Sequence, residues 1–215
     1  MIRHLLQLIW NQRKQNAWLW AELLLVSVFL WFLVDYLYVM GRTYTAPLGF
    51  DIRHTYSIVI SSLSERSPDY IPKEKRERPD GVHLLTALDR IRTYPGVESA
   101  CLTDGGMPYY MGSRNLVWRI DTLQVPCRYA FVTPEFFDVF RIYDKDGKTA
   151  SLKRAIEDNN SIVISADVET MNPGLSLLGQ KAYRGNVTDE IEETIRGISV
   201  PIRRHEYTKA EPNVY

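Results

Sequence analysis

The chain has 215 residues, 45% of them hydrophobic, with 26 Lys and Arg against 26 Asp and Glu and no formal net charge at neutral pH. That balance excludes the strong basic field of a nucleic-acid binder. The length excludes a tiny stapled module and allows one domain with a real core, or two small lobes.

Residues 1–16, MIRHLLQLIWNQRKQN, place Ile2, Leu5, Leu6, Ile9 and Trp10 on one helical face, with Arg3, Gln7, Asn11, Arg13 and Lys14 elsewhere. This pattern predicts an amphipathic helix lying along a membrane surface. Residues 17–40, AWLWAELLLVSVFLWFLVDYLYVM, are almost wholly apolar and reach the roughly 20 residues that a bilayer-spanning helix requires. Glu22 and Asp35 interrupt the run. The stretch between them, 23–34, covers roughly 18 Å at about 1.5 Å per residue, against a hydrocarbon core of about 30 Å. At least one acid is therefore expected within the bilayer. At about 100° per residue the two project onto nearly opposite sides of the helix, so one partner helix cannot satisfy both. An intramembrane acid points to a protein neighbour or a polar cavity.

No small-x-small cleavage site precedes Asp35, so the run reads as a retained anchor rather than a secretory signal. Arg3, Arg13 and Lys14 precede it, whereas Arg42 and then Arg53 follow, which places the N-terminus in the cytoplasm and residues after about Gly41 outside the membrane. Trp18, Trp20, Tyr36, Tyr38 and Tyr44 fall near the two interfaces as aromatic anchors.

Beyond the span, TYSIVISSL (55–63) is β-branched and predicts a strand. Residues 64–80 are charged and broken by proline, a solvated loop whose Lys73, Lys75, Arg76 and Arg78 are offset by Glu74, Glu77 and Asp80. Asp80 is a candidate cap for a helix over 83–94, stopped by Pro95-Gly96, and 97–102 resumes as a strand. The glycines of Asp104-Gly105-Gly106 make a turn without the spacing of a phosphate cradle. Residues 116–120 and 125–131 alternate as an antiparallel hairpin. Thr133-Pro134-Glu135 predicts an N-cap, a first-position proline and an acid near the dipole of a short helix through Phe140, pinned to the sheet by Phe136, Phe137, Val139 and Phe140.

Asp144-Lys145-Asp146-Gly147 matches only part of a calcium loop and reads as a turn. Residues 161–165 predict a buried strand and 166–171 a helix. Gly179-Gln180 turns into a further strand, and 194–202 forms another with Ile198, Val200 and Ile202 alternating. The tail 205–215 reads as a polar end. Cys101 and Cys127 both fall in the outer part, where an oxidising compartment permits a bridge; a pair of buried free thiols is the equal alternative. His4, His54, His83 and His205 are scattered, and neither a Ser-x-Gly elbow nor a metal-spaced cluster occurs. No catalytic, cofactor or metal residue is therefore expected.

The order of these elements resembles the MacB/FtsX-type permeases of ABC transporters, especially their periplasmic core domain. The resemblance is carried by an amphipathic helix leading into a first span and a strand, then by IRTYPGVESA (91–100) and FVTPEFFDVFRI (131–142). SIVISADVE (161–169), LGQKA (178–182) and IRGISVPIRR (195–204) follow in the same order. It implies an α+β fold: an N-terminal amphipathic helix (1–16) and one transmembrane helix (17–40), followed by a mixed α+β extracytoplasmic domain (41–215), an incomplete MacB-like core. The family normally continues through more of that domain and three further spans, so the expectation is either the N-terminal part of a longer permease or a single-pass relative.

The resemblance further implies a permease or mechanotransmission subunit of the bacterial inner membrane, without cofactor or active site. Its partners would be a separate cytoplasmic ABC ATPase, a second permease copy or homologue, and membrane lipid, not nucleic acid. Ile2, Leu5, Leu6, Ile9 and Trp10 would lie near the ATPase, and Glu22 or Asp35 would face another permease helix. The alternative is a single-pass, membrane-anchored extracytoplasmic binding or sensor module.

Overall fold

Helices α1 (Ile2–Asn11) and α2 (Ala17–Thr45) form the first of two units, Met1–Ala46, and the chain from Pro47 to Tyr215 forms the second. The structure, a computed structural model, describes residues 2–11, 14, 17–61, 63–72, 75, 79–110, 112, 114–158, 160–184 and 191–215. α2 runs past the expected end at Met40 to Thr45, a helix of 29 residues with none buried. At about 1.5 Å per residue it is roughly 43 Å long, more than the hydrocarbon core of about 30 Å. It is long and apolar enough to cross a membrane.

The second unit contains α3 (Asp80–Arg92), β1 (Thr103–Asp104), β2 (Arg114–Ile120), β3 (Leu123–Tyr129), β4 (Phe131–Val132), α4 (Phe136–Val139) and α5 (Ala150–Ala155). β5 (Ser161–Ser165), α6 (Asp167–Met171), β6 (Lys181–Arg184), β7 (Ile191–Ser199) and β8 (Asn213–Val214) complete it. Six strands close into a barrel in the order β2-β3-β8-β5-β7-β6, with β6 pairing back onto β2. The predicted hairpin is present, with Trp118 opposite Val125 and Ile120 opposite Leu123. Its turn places Asp121 at φ 53°, a left-handed conformation that an aspartate tolerates better than most residues.

Alternation along the strands sorts side chains into two cores. Trp118, Ile120, Val125, Cys127, Ile162, Ile164, Leu177, Ile195 and Val214 belong to one cluster, at the barrel. Phe136, Phe137, Phe140, Ile142, Leu152, Val163, Ile202 and Tyr215 form the other. β5 divides them: all five of its residues are buried, with Ile162 and Ile164 in the first cluster and Val163 in the second. A strand covered on both faces has no solvent face to make polar, which accounts for the short apolar run SIVIS.

β7 departs from strict alternation. Ile162 pairs with Ile195 but Val163 with Gly197, so Arg196 is the extra residue of a bulge and is exposed. A bulge resets which face each following residue meets. Ile195 and Ile198 therefore both pack on the barrel cluster, whereas Ile202, expected on the same strand, lies beyond its end at Ser199 in the other cluster.

Several expectations are corrected. Residues 55–61 and 63 are in no strand: Tyr56 and Val59 are each 86% exposed, and their backbone joins no ladder among the described residues. A β-branched run forms a strand only where a neighbouring edge offers hydrogen bonds. Residues 97–102 likewise lie in no strand, and the strand there is β1, two residues against β4. Asp80 is the first helical residue of α3, with Pro79 in the cap position. The polar end is also a strand. β8 runs parallel to β3 and antiparallel to β5, and it closes the barrel. Positions 73, 74 and 76–78 of the charged loop lie outside the described residues.

Candidate functional site

The stretch FVTPEFFDVF is the point at which the second unit is fastened together. Phe136 and Phe137 are fully buried, and Phe136 packs at a tilt against Phe140 and Tyr215 with ring centroids 4.8 and 5.3 Å away. Around this aromatic centre each polar residue of the stretch reaches a different element. The Thr133 hydroxyl accepts a hydrogen bond from the Leu102 N–H at 3.1 Å, and the Thr133 N–H donates to the Leu102 carbonyl at 3.0 Å. It therefore ties down the chain before β1 and does not cap α4, where Glu135 holds the cap position without a side-chain bond. Glu135 instead pairs with Arg92 of α3 at 2.5 Å. Asp138 accepts from Thr149 at 2.6 Å and from Lys153 at 2.5 Å, securing α5. Those bonds hold the Asp138 carboxyl below the usual carboxylate range against the opposing effect of burial, which is the largest single influence on it.

The same stretch holds the segment that leaves α2. The Asp51 N–H donates to the Phe140 carbonyl at 2.9 Å, and the Thr55 hydroxyl reaches the Val139 carbonyl at 3.4 Å. Nearby, the Leu48 carbonyl accepts from the Arg203 N–H at 2.9 Å. Gly49, at φ +83°, lies flat against Pro201. Asp51 accepts two hydrogen bonds from the Arg53 guanidinium at 2.7 and 2.9 Å and one from the Arg53 N–H, which lowers its carboxyl to about 2. Arg141, itself at φ 51°, donates to the Arg53 carbonyl at 3.0 Å. Residues 47–55 thus form a strap on the second unit, continuous in sequence with the helix before it. Sequence reasoning missed the strap, although the glycine of Ala46-Pro47-Leu48-Gly49 was a visible signal of close backbone approach.

The residues expected to matter from sequence are placed as follows. α1 is a helix, but the side chains of Ile2, Leu5, Leu6 and Ile9 lie outside the described residues; Trp10 is 68% exposed. Glu22 and Asp35 are both exposed on α2, as are Trp18, Trp20, Tyr36, Tyr38 and Tyr44. Cys101 and Cys127 are free thiols in separate clusters, Cys127 within the barrel core and Cys101 packed against the aromatic one. Cys127 is buried and Cys101 half-buried. Burial pushes Cys127 up to about 12 and Cys101 to about 11, the latter helped by the Glu135 charge. Asp144 spends its carboxylate on the N–H groups of Asp146 and Lys148 at 2.9 and 2.8 Å, the turn expected there. Among the described residues no three His, Cys, Asp or Glu side chains gather as metal ligands.

No family model and no curated protein matches the chain. Among solved structures it is similar to a domain of a permease protein from Porphyromonas gingivalis, at 19% identity over 60% of this chain and 49% of that one, TM-score 0.43. It is similar too to the periplasmic region of MacB from Actinobacillus actinomycetemcomitans, at 10% identity over 61% and 53%, TM-score 0.43. A third is the extracellular domain of the noncanonic ABC-type transporter YknZ from Gram-positive bacteria, at 13% identity over 60% and 59%, TM-score 0.42. The chain spans about half the length of these structures.

Proposed function

We propose that the chain acts as a permease or mechanotransmission subunit of an ABC transporter in a bacterial inner membrane. In this reading α1 lies on the cytoplasmic face beside a separate ATPase, α2 crosses the bilayer, and the second unit stands in the periplasm. The single observation that carries the proposal is the strap. The segment emerging from a membrane-length helix is tied by the Asp51 N–H and the Thr55 hydroxyl to backbone carbonyls of the stretch that also fastens α3, α5 and the aromatic centre. A pull on the strap would be delivered to several elements at once rather than to one loop. The order of the motifs and the positive charges before α2 support the same orientation. Glu22 and Asp35, exposed on the helix, would be met by a second permease copy or homologue, since an isolated acid facing lipid is costly.

The test is ATP hydrolysis by the partner ATPase in proteoliposomes. Adding the chain should stimulate turnover, and deleting residues 1–16 should abolish that stimulation while the second unit stays folded. Cysteines placed at Gln7 and at the exposed Lys209 should label from opposite sides of the membrane. Stimulation that survives the deletion, or labelling from one side, overturns the proposal. An ATPase indifferent to the intact chain would leave a membrane-anchored binding or sensor module.

A further inference from the structure

A cleft in the second unit is lined by Phe50, Met107 and Ile202 and by three arginines, Arg128, Arg203 and Arg204. They are not equivalent. Arg203, only 5% exposed, donates through Nε to the Thr208 carbonyl at 2.7 Å and through Nη2 to the Glu206 carbonyl. It therefore serves the loop that leads to β8. Arg128 and Arg204 have no such employment. The Nε of each is buried without a hydrogen-bond partner, and neither forms an ion pair among the described residues.

A buried donor without an acceptor is costly, more so on a charged group. Two cations sharing one cleft add repulsion. Burial first, and then the Arg204 charge, work against the Arg128 cation, and Glu211 and Tyr215 only partly offset them. The nearby Glu206 carboxylate is taken by the Tyr109 hydroxyl. The chain thus gathers positive charge and unpaired Nε donors in one place, with Glu211 acting on Arg128 only through its charge and no carboxylate among the described residues in an ion pair with either arginine. Arginine forks match the oxygen pairs of phosphate and carboxylate groups.

We propose that this cleft is a binding site for a small oxyanion group, phosphate or carboxylate, held between Arg128 and Arg204. The site does not depend on the transporter reading, since every residue in it belongs to the second unit. The two Nε atoms are buried, so the incoming group is bound by charge-assisted hydrogen bonds to donors already withdrawn from water.

Isothermal titration calorimetry of the full chain in neutral detergent, at constant ionic strength in chloride, tests this with inorganic phosphate, glycerol phosphate and acetate. At least one should bind saturably, and the strongest identifies the source as free phosphate, a headgroup-type ester or a carboxylate. Arg128→Gln and Arg204→Gln should each weaken that binding at least tenfold, and the double variant should show none. Arg114→Gln, which removes an arginine paired with Asp104 at the surface, should leave it unchanged. The proposal fails if wild type gives no saturable heat with any of the three. It also fails if the double variant binds as wild type does, or if Arg114→Gln weakens binding as much as the cleft variants.

Discussion

Gly49 lies so close to Pro201 that a β-carbon on it would stand 2.1 Å from the Pro201 carbonyl oxygen. Its backbone is also left-handed, at φ +83°. Both features admit glycine alone, and they locate the strap where chain leaving α2 meets the segment leading to β8.

Gly49→Ala is the direct test of that contact. The left-handed backbone alone costs about 1–2 kcal/mol for a residue with a β-carbon, and the clash with backbone adds to it. Urea unfolding of the full chain in detergent should lose at least this much stability. Gly41→Ala, where no atom lies near the added carbon, should lose none.

The strap should also respond to acid. Asp51 is held at about 2, chiefly by the Arg53 side-chain hydrogen bonds, against an ordinary value of 3.8. A carboxylate lowered in the folded state stabilises fully above its unfolded value and ceases to do so as pH falls through the folded one. The stability difference between wild type and Asp51→Asn should therefore be constant above about pH 5 and shrink toward pH 2. The pair is solvent-facing, so the difference is small and weakens further in salt. A difference that does not change with pH would remove the ion pair from the strap.

Gly197 lets α5 approach the sheet. A β-carbon there would lie 2.8 Å from Val163 Cγ2 and 3.0 Å from Ala155 Cβ. Gly197→Ala should cost about 1–3 kcal/mol as overpacking. Val163→Ala removes the obstructing methyl groups, so the double variant should be less destabilised than the sum of the two single changes. Strict additivity in chemical unfolding would show that the helix has room to spare.

The two thiols should be slow to react in the folded protein. Only the thiolate is nucleophilic, and burial raises Cys101 to about 11 and Cys127 to about 12. Maleimide labelling at pH 7.5, followed by mass spectrometry, should modify Cys101 slowly and Cys127 only on unfolding. Labelling of Cys101 should accelerate as pH rises toward about 11. Rapid, equal modification of both at neutral pH would contradict their burial.

Local periodicity in the amino-acid sequence determined much of this protein by itself. A long apolar run interrupted only by Glu22 and Asp35 predicts a membrane-length helix, and α2 is one. Alternation over 116–131 leaves a hairpin as the simple pairing, and SIVIS is too apolar to have a wet face. The density of phenylalanine in FVTPEFFDVF likewise marks a buried centre. These features are legible because each depends on neighbours within a few residues.

What depended on distant partners was decided by the tertiary structure alone. Residues 55–61 have the composition of a strand but find no edge among the described residues, whereas Asn213-Val214, polar and short, becomes one because β3 and β5 leave a gap of its size. The bulge at Arg196 sends Ile195 and Ile198 to the same core, which no two-residue rhythm foretells. Arg128 and Arg204 are far apart in sequence, and only closure of the barrel brings them into one cleft. Backbone hydrogen bonds and like charges act over a few ångströms of space, and chain order records that distance only when the contacting residues are already close along the sequence.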